Sequence, residues 1–487
     1  MRSPDVFIVK PGSQKKLYGE LSAYSLTAIE PPLWGALIAG FLRHHGFGVE
    51  LLDAEVEALD YEETAKIITA AKPHLVLLSV SGTNPSASTM NLPGAGSIAL
   101  SIKQLAPDIK IAMSGLHPSA LPERTLCEEA IDYVVQGEGF ITIPHLIESI
   151  KTGNSADDIP GLWYWQNGAT RHNPPAKNWT DLNTLPPPAW DLLPMRRYRA
   201  HNWHCFDHIN QRQPYAVIYT SLGCPFHCHF CCINALFGRS GIRYRNPERV
   251  IEEIDYLVKV FHIRNIKIID EMFALNNDHV ERLCDLIIER GYDLNMWAYA
   301  RVNTVNPKML RKMKKAGINW VAYGFESGSK RVLKDVQKSY DPESLLGVVE
   351  MTYNEGLYIC GNYIFGLPED DYASMQETLE LAIEINAEWA NFYTAMALPG
   401  SKLYAQALDN GWGLPESWEG YSQYSKETLP LPTSYLSPQQ VLQFRDTAFS
   451  KYYQNPEYLQ SIQKKFGFQT VAHITEMSSR QLNRFYH

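Results

Sequence analysis

Short apolar runs alternate with helix-period stretches along almost the whole chain, and this alternation leaves few folds open. In the first third the runs are Val6-Phe7-Ile8-Val9, Val49-Glu50-Leu51-Leu52, Leu75-Val76-Leu77-Leu78-Ser79-Val80, Lys110-Ile111-Ala112-Met113 and Tyr133-Val134-Val135. Helical patterns occupy residues 32–45, 61–71, 96–105 and 121–130, and another starts at Pro144. Strands separated by helices return by crossovers, so the sheet is parallel. Five such units predict a doubly wound, Rossmann-like domain over residues 1–150, with ligands at the carboxyl ends of its strands. A second series begins at Ala216-Val217-Ile218-Tyr219-Thr220 and continues through residues 266–270, 295–301, 320–326, 358–365 and 388–397. Six units predict a partial (β/α)6 barrel over residues 214–413, its site again at the strand ends. The fold class is α/β.

Residues 151–213 separate the two series. Prolines at Pro174-Pro175 and Pro186-Pro187-Pro188 exclude a long helix there. Gly161-Leu162-Trp163-Tyr164-Trp165, followed by Asn167-Gly168, predicts a small hairpin inside this linker, and residues 185–194 are expected to cover the seam between domains. Residues 414–487 form a mainly helical cap with two helices, 437–453 and 456–466. Ser437-Pro438 is a helix start, with serine capping and proline in the first turn. The aromatics of this region, among them Trp418, Tyr421 and Tyr424, belong to its core or line a cavity.

The chemistry concentrates after the first strand of the second series, in Cys224-Pro225-Phe226-His227-Cys228-His229-Phe230-Cys231. Thiolates are soft ligands, and three on one short loop can hold three irons of a [4Fe–4S] cube. Cys232 adjoins Cys231 and is poorly placed to reach the fourth iron, which stays open to a substrate or cofactor. Zinc would ask for four closed ligands and CxxC pairs, with His227 and His229 the nearest additions.

The loop resembles that of the radical SAM enzymes, CxxxCxΦC, with Phe230 at the aromatic position. The resemblance implies that the open iron chelates the amino and carboxylate groups of S-adenosylmethionine. An electron from a cellular reductant such as flavodoxin or ferredoxin would then yield a 5′-deoxyadenosyl radical. It also implies that Asp270 and Glu271 face the SAM site, that Arg301 meets the SAM carboxylate, and that Glu326-Ser327 lies near the ribose or amino group. Residues 361–368, with Gly366, and residues 398–401 would close over the adenosine. An internal Arg301–Glu326 ion pair is the alternative for those two residues.

The strand ends of the first series are rich in glycine and hydroxyls: Ser79-Val80-Ser81-Gly82-Thr83, Ser114-Gly115-Leu116-His117-Pro118 and Gly137-Glu138-Gly139. Such residues either admit backbone close to a large ligand or permit tight turns. Ahead of this cysteine loop they resemble the cobalamin-binding domain of the cobalamin-dependent radical SAM family, whose class B members are methyltransferases. The resemblance assigns Ser79, Ser81, Gly82, Thr83, Gly115, His117, Gly137, Glu138 and Gly139 to the corrin and its nucleotide tail. The cobalamin motif DxHxxG is absent after the first strand, so no histidine is expected beneath the cobalt.

A formal net charge of −9 argues against a nucleic-acid partner. The apolar run at residues 33–42 is too short for a bilayer and implies a buried helix. No signal peptide is evident, and the eight cysteines are used as in a reducing compartment, with Cys127, Cys205, Cys284 and Cys360 scattered in apolar surroundings. The expectation is a cytoplasmic enzyme. The resemblance implies a C-methyltransferase acting on a small metabolite. A cobalamin-dependent cyclase or rearrangement enzyme, as in anaerobic tetrapyrrole ring formation, shares the motifs, and a cobalamin sensor with a structural cluster is the alternative outside catalysis.

Overall fold

The computed structural model describes residues 3–12, 27–82, 88–338, 340–341, 344–480 and 482–485. Its first sheet contains β1 (Val6–Lys10), β2 (Val49–Asp53), β3 (Leu75–Val80), β4 (Lys110–Gly115), β5 (Tyr133–Val135), β6 (Leu162–Gln166) and β7 (Ala169–His172), in the order β2-β1-β3-β4-β5-β6-β7. Strands β1 to β5 are parallel. Helices cover both faces, which is why β1 and β3 are apolar and buried along their full lengths. The strand order reverses between β1 and β3, so the crevice for a ligand opens at their carboxyl ends.

The hairpin expected inside the linker is β6–β7, turned at Asn167 and Gly168 with φ of 53° and 78°. It does not stand apart. Strand β6 pairs antiparallel with β5, so the first sheet extends to His172, beyond the predicted boundary at residue 150. Another difference lies after β4, where Leu116–Ala120 is a short helix and carries His117. Further along, the proline-rich stretch packs on the buried helix Leu33–His44: Ala189 N donates to Ala36 O at 2.8 Å.

The second sheet is six parallel strands: β8 (Tyr215–Ile218), β11 (Asn265–Ile268), β12 (Asn295–Ala300), β13 (Ile318–Glu326), β14 (Tyr358–Phe365) and β15 (Trp389–Thr394), ordered β15-β14-β13-β12-β11-β8. A short antiparallel pair, β9 (Ser221–Leu222) and β10 (Arg243–Tyr244), brackets the cysteine loop. At the start of the barrel strands Trp203 stands edge-on to Trp297 and Trp320, sealing that end with apolar rings.

The cap contains the two expected helices, Pro438–Tyr453 and Pro456–Phe466, and a third, Phe468–Ser478, that the sequence reading lacked. Gly467, at φ 83°, separates the last two. Ser437 closes a capping box with Gln440. The cap is fastened to β15 and the turn before it by buried tyrosines: the Tyr452, Tyr458 and Tyr453 hydroxyls donate to the Ala387, Glu388 and Ala390 carbonyls. No helix among the described residues is long and apolar enough to cross a membrane.

A Cβ on Gly40 would lie 2.2 Å from the Pro187 carbonyl oxygen. Backbone cannot yield as a side chain does, so Gly40→Ala should destabilise the protein by about 1–3 kcal/mol, measured as a lowered urea midpoint at unchanged slope.

Candidate active site

Asp270 fixes the entrance to the cysteine loop. Its carboxylate accepts from Thr220 N at 2.6 Å, Thr220 Oγ1 at 2.5 Å and Ser221 Oγ at 2.6 Å. Burial pushes its pKa up to about 6 against the lowering effect of these bonds. Asp270, expected to face the SAM site, has its oxygens used inside the fold and is not among the residues lining the cavity described below. Gly223 follows at φ 95°, and a Cβ there would meet Gly241 O at 2.4 Å, so only glycine suits this turn.

Cys224, Cys228 and Cys231 then line the loop. Burial, with a contribution from the neighbouring cysteines, pushes the Cys224 thiol up to about 11 and the Cys231 thiol to about 12, while Arg301 and Lys338 act in the opposite sense. Ligation as thiolates would thus release protons. Among the described residues no three His, Cys, Asp or Glu side chains converge on a single-ion site. His229 Nε2 lies 3.2 Å from Lys402 Nζ, and Cys232 is buried. Three soft thiols without a closed fourth ligand suit a cluster better than a structural zinc. Cys127, expected in apolar surroundings, is exposed.

A cavity of about 1070 Å³ opens beside the loop at the carboxyl ends of the barrel strands. It gathers Phe230, Cys231, Glu271, Arg301 and Glu326 from the sequence-derived set. The Arg301 guanidinium stacks 3.9 Å over the Phe226 ring, with Nη1 3.6 Å from Cys228 Sγ. The alternative pairing of Arg301 with Glu326 is not formed. Glu326 instead meets Lys338, Oε1 to Nζ 2.6 Å, both side chains buried. A register shift between β13 and β14 and a φ of 57° at Glu326 turn this carboxylate toward the cavity. Lys338, which also stands 5.8 Å from the Phe230 ring, was missed in the sequence. Its signal is slight: one lysine among several, twelve residues beyond Glu326.

Two expected SAM contacts lie elsewhere. Ser327 is fully buried, 3.1 Å from the Thr378 hydroxyl. Gly366 lies against the cap, where a Cβ would strike Val441 Cγ1 at 2.3 Å, and its N–H donates to Asp370. Toward the cap the cavity is lined by Tyr393, Tyr421, Gln423 and Tyr424 with Arg445, Asp446 and Arg480, and Trp389 and Asn391 line it deeper, near the start of β15.

A second, narrow slot of about 50 Å³ separates the first sheet from the barrel. The first domain lines it with Ser79, Ser81, Gly82, Ser114, Gly115 and Gly137 and with Leu33, Trp34, Leu37 and Ile38 of the buried helix; Tyr219, Leu222, Ile269 and Glu271 line it from the barrel. Hydroxyls and bare backbone facing an apolar wall suit a nucleotide tail, which would have to part the walls to enter. Three residues of the predicted set serve otherwise. Glu138 reaches the slot, but its carboxylate takes Arg243 at 2.6 and 3.1 Å and Trp179 N at 2.8 Å. Gly139 turns tightly over Ile143. His117 bonds through Nδ1 to Thr89 Oγ1 at 3.0 Å beneath Trp418, and burial pushes its pKa down to about 3. Thr83 lies outside the described residues.

A flavodoxin-order sheet set against a six-stranded partial barrel, with three thiols at the barrel's first strand end, defines a two-cofactor enzyme architecture. Residues 218–382 match the family model of the Radical SAM superfamily and residues 23–147 that of the B12 binding domain. An uncharacterized methyltransferase of Pyrococcus horikoshii is 30% identical over 459 residues, 94% of each chain. Anaerobic magnesium-protoporphyrin IX monomethyl ester cyclase of Rubrivivax gelatinosus is 26% identical, over 78% of this chain and 66% of its own. Among solved structures, the cobalamin-dependent S-adenosylmethionine radical enzyme OxsB with aqua-cobalamin and S-adenosylmethionine superposes with a TM-score of 0.68 at 17% identity, over 98% of this chain and 71% of that one. The radical S-adenosylmethionine methyltransferase TsrM of Kitasatospora setae gives 0.67 at 17%, over 93% and 89%. The chain belongs to the cobalamin-binding radical SAM family.

Cys224→Ala, Cys228→Ala and Cys231→Ala should each lose the cluster, read as iron content and the visible absorbance of anaerobically reconstituted protein, whereas Cys232→Ala should keep both. Glu326→Gln should weaken SAM binding about ten- to a hundredfold, the worth of a charge-assisted hydrogen bond. It should also lower the melting temperature by stranding Lys338. Glu326→Gln combined with Lys338→Met should recover the melting temperature without recovering SAM affinity, separating the two roles by titration and thermal melt.

Proposed function

We propose that the protein is a cobalamin-dependent radical SAM C-methyltransferase acting on a small metabolite. The observation that carries the reading is the place of Glu271, which lines both the barrel cavity and the slot beneath the first sheet. Radical chemistry at the cysteine loop and methyl delivery from the first domain would therefore meet across a single side chain. Bound here, the [4Fe–4S] cluster and SAM supply radical initiation and cobalamin supplies a methyl carrier.

The chain's own residues divide the work. Cys224, Cys228 and Cys231 would hold the cluster, and Arg301, beside Cys228, would neutralise the SAM carboxylate. Glu326 would meet the SAM ammonium or ribose, and Lys338 keeps that carboxylate oriented. Ser79, Ser81, Gly82, Gly115 and Gly137 would line the nucleotide tail. Burial pushes Glu271 up to about 7, opposed by Gly223 N–H, so its carboxyl can exist in either protonation state near neutral pH. Aromatic rings and amides, with Arg445, Asp446 and Arg480 of the cap beside them, line the rest of the cavity and suit a small substrate. A cytoplasmic setting and a one-electron protein donor complete the reading.

The similarity to the Rubrivivax gelatinosus cyclase supports ring closure without methyl transfer as a second reading. SAM carrying a trideuterated methyl group distinguishes them. Methyl transfer appears in the product as a gain of about 17 mass units, while a product bearing no label establishes the cyclase reading. Absence of SAM cleavage under strong reductant overturns both.

A further inference from the structure

We propose that Arg445 of the cap anchors an anionic oxygen group of the substrate, a carboxylate or a phosphate, an inference that rests on the enzymatic reading above and names its substrate class. Strand β15 lies at an edge of the second sheet, so the backbone groups along its outer side have no strand partner. Cap side chains satisfy them at alternate residues. Tyr453 Oη bonds both Ala390 N and Ala390 O, Arg445 Nε donates to Phe392 O at 2.8 Å, and Gln423 Oε1 accepts from Thr394 N at 3.1 Å. Residues 392 and 394 are about 7 Å apart along a strand. Arg445 and Gln423 are thus held side by side at the carboxyl end of β15, and both line the wide cavity.

Neither side chain is exhausted by these bonds. Arg445 Nη1 donates to Asp446 at 2.8 Å, but Nη2 has no partner among the described residues, although Arg445 is only 5% exposed. Gln423 spends its oxygen on a backbone N–H, which fixes the amide orientation, and its NH2 is likewise without a partner among the described residues. Two donors without acceptors therefore border the cavity. Charge is short in the same sense. Arg484, whose side chain is fully buried, also pairs with Asp446, so two guanidiniums share one carboxylate. Burial would raise the Asp446 carboxyl, and Arg484 and Arg445 hold it below its ordinary value, so it supplies one negative charge against two positive ones. Elsewhere on the cavity wall the cations are matched singly: Lys338 by Glu326, Lys267 by Glu30 and Arg480 by Glu476. A buried charge lacking its full complement is costly, and a ligand oxyanion at Arg445 Nη2 and the Gln423 amide restores the balance.

The test uses reconstituted holoenzyme saturated with SAM in the absence of reductant, so that the SAM carboxylate occupies Arg301, and titrates it calorimetrically with benzoate, phenyl phosphate and neutral benzamide. One of the anions should bind about ten- to a hundredfold more tightly than benzamide, and which of the two does so tells carboxylate from phosphate. Arg445→Gln should abolish that margin while leaving the affinities for SAM and benzamide as in the parent. Gln423→Leu, which keeps every charge, should shrink the margin about three- to tenfold. The anchor is overturned if benzamide binds the parent as tightly as both anions, if Arg445→Gln keeps the margin, or, should that variant not fold, if Gln423→Leu leaves the margin whole. A parent that shows the margin but leaves SAM uncleaved under strong reductant overturns the proposed function instead.

Discussion

Asp270 accepts three hydrogen bonds from Thr220 and Ser221, the residues that carry the chain from the first barrel strand into the cysteine loop. A flexible loop of three thiols could adopt many arrangements, most of them unable to share one cube. The bonds to Asp270, with Gly223 pressed against Gly241 O and the β9–β10 pair around the loop, hold its entry in one conformation before any ligand binds. The same buried carboxylate also ties β8 to the end of β11. Removing it would uncouple the loop from the sheet and leave buried donors unpaired, which is costlier than losing a contact on the surface.

The seam between the two sheets depends on a comparable arrangement. Glu138 leaves the fifth strand of the first sheet and closes on Arg243 of β10 and on Trp179 N. One carboxylate thus connects the slot beneath the first sheet, the linker and the strand bracketing the cysteine loop. The relative placement of the two cofactor regions is fixed by specific polar geometry as well as by apolar burial.

The strands of both sheets were legible, and the cysteine loop was placed at the end of the first barrel strand, because period and spacing are local signals. The edge hairpin was legible as a hairpin but not as part of the first sheet, since pairing with β5 is a tertiary event. Strand-end residues have two possible uses, and the sequence does not choose between them. Asp270, Ser327 and Gly366 occupy strand ends, yet each serves internal hydrogen bonding or close packing, and nothing in a linear pattern reveals which way such a residue faces. Arg301 and Glu326 do line the cavity, but the partner of Glu326 is Lys338, whose approach depends on a turn after the strand. The helix Phe468–Ser478 was missed because it follows Gly467 directly, with no side-chain cap to mark its start, and Phe468 itself is exposed.

Glu271 forms part of both the wide cavity and the narrow slot. Whatever fills one compartment changes the surroundings of this carboxyl and hence the energy of filling the other. Such coupling is reciprocal: a corrinoid that raises or lowers the affinity for SAM must have its own affinity altered by SAM by the same factor. Two cofactors bound on either side of Glu271 would then not be independent tenants of separate domains, and the strength of their coupling could be measured from either one.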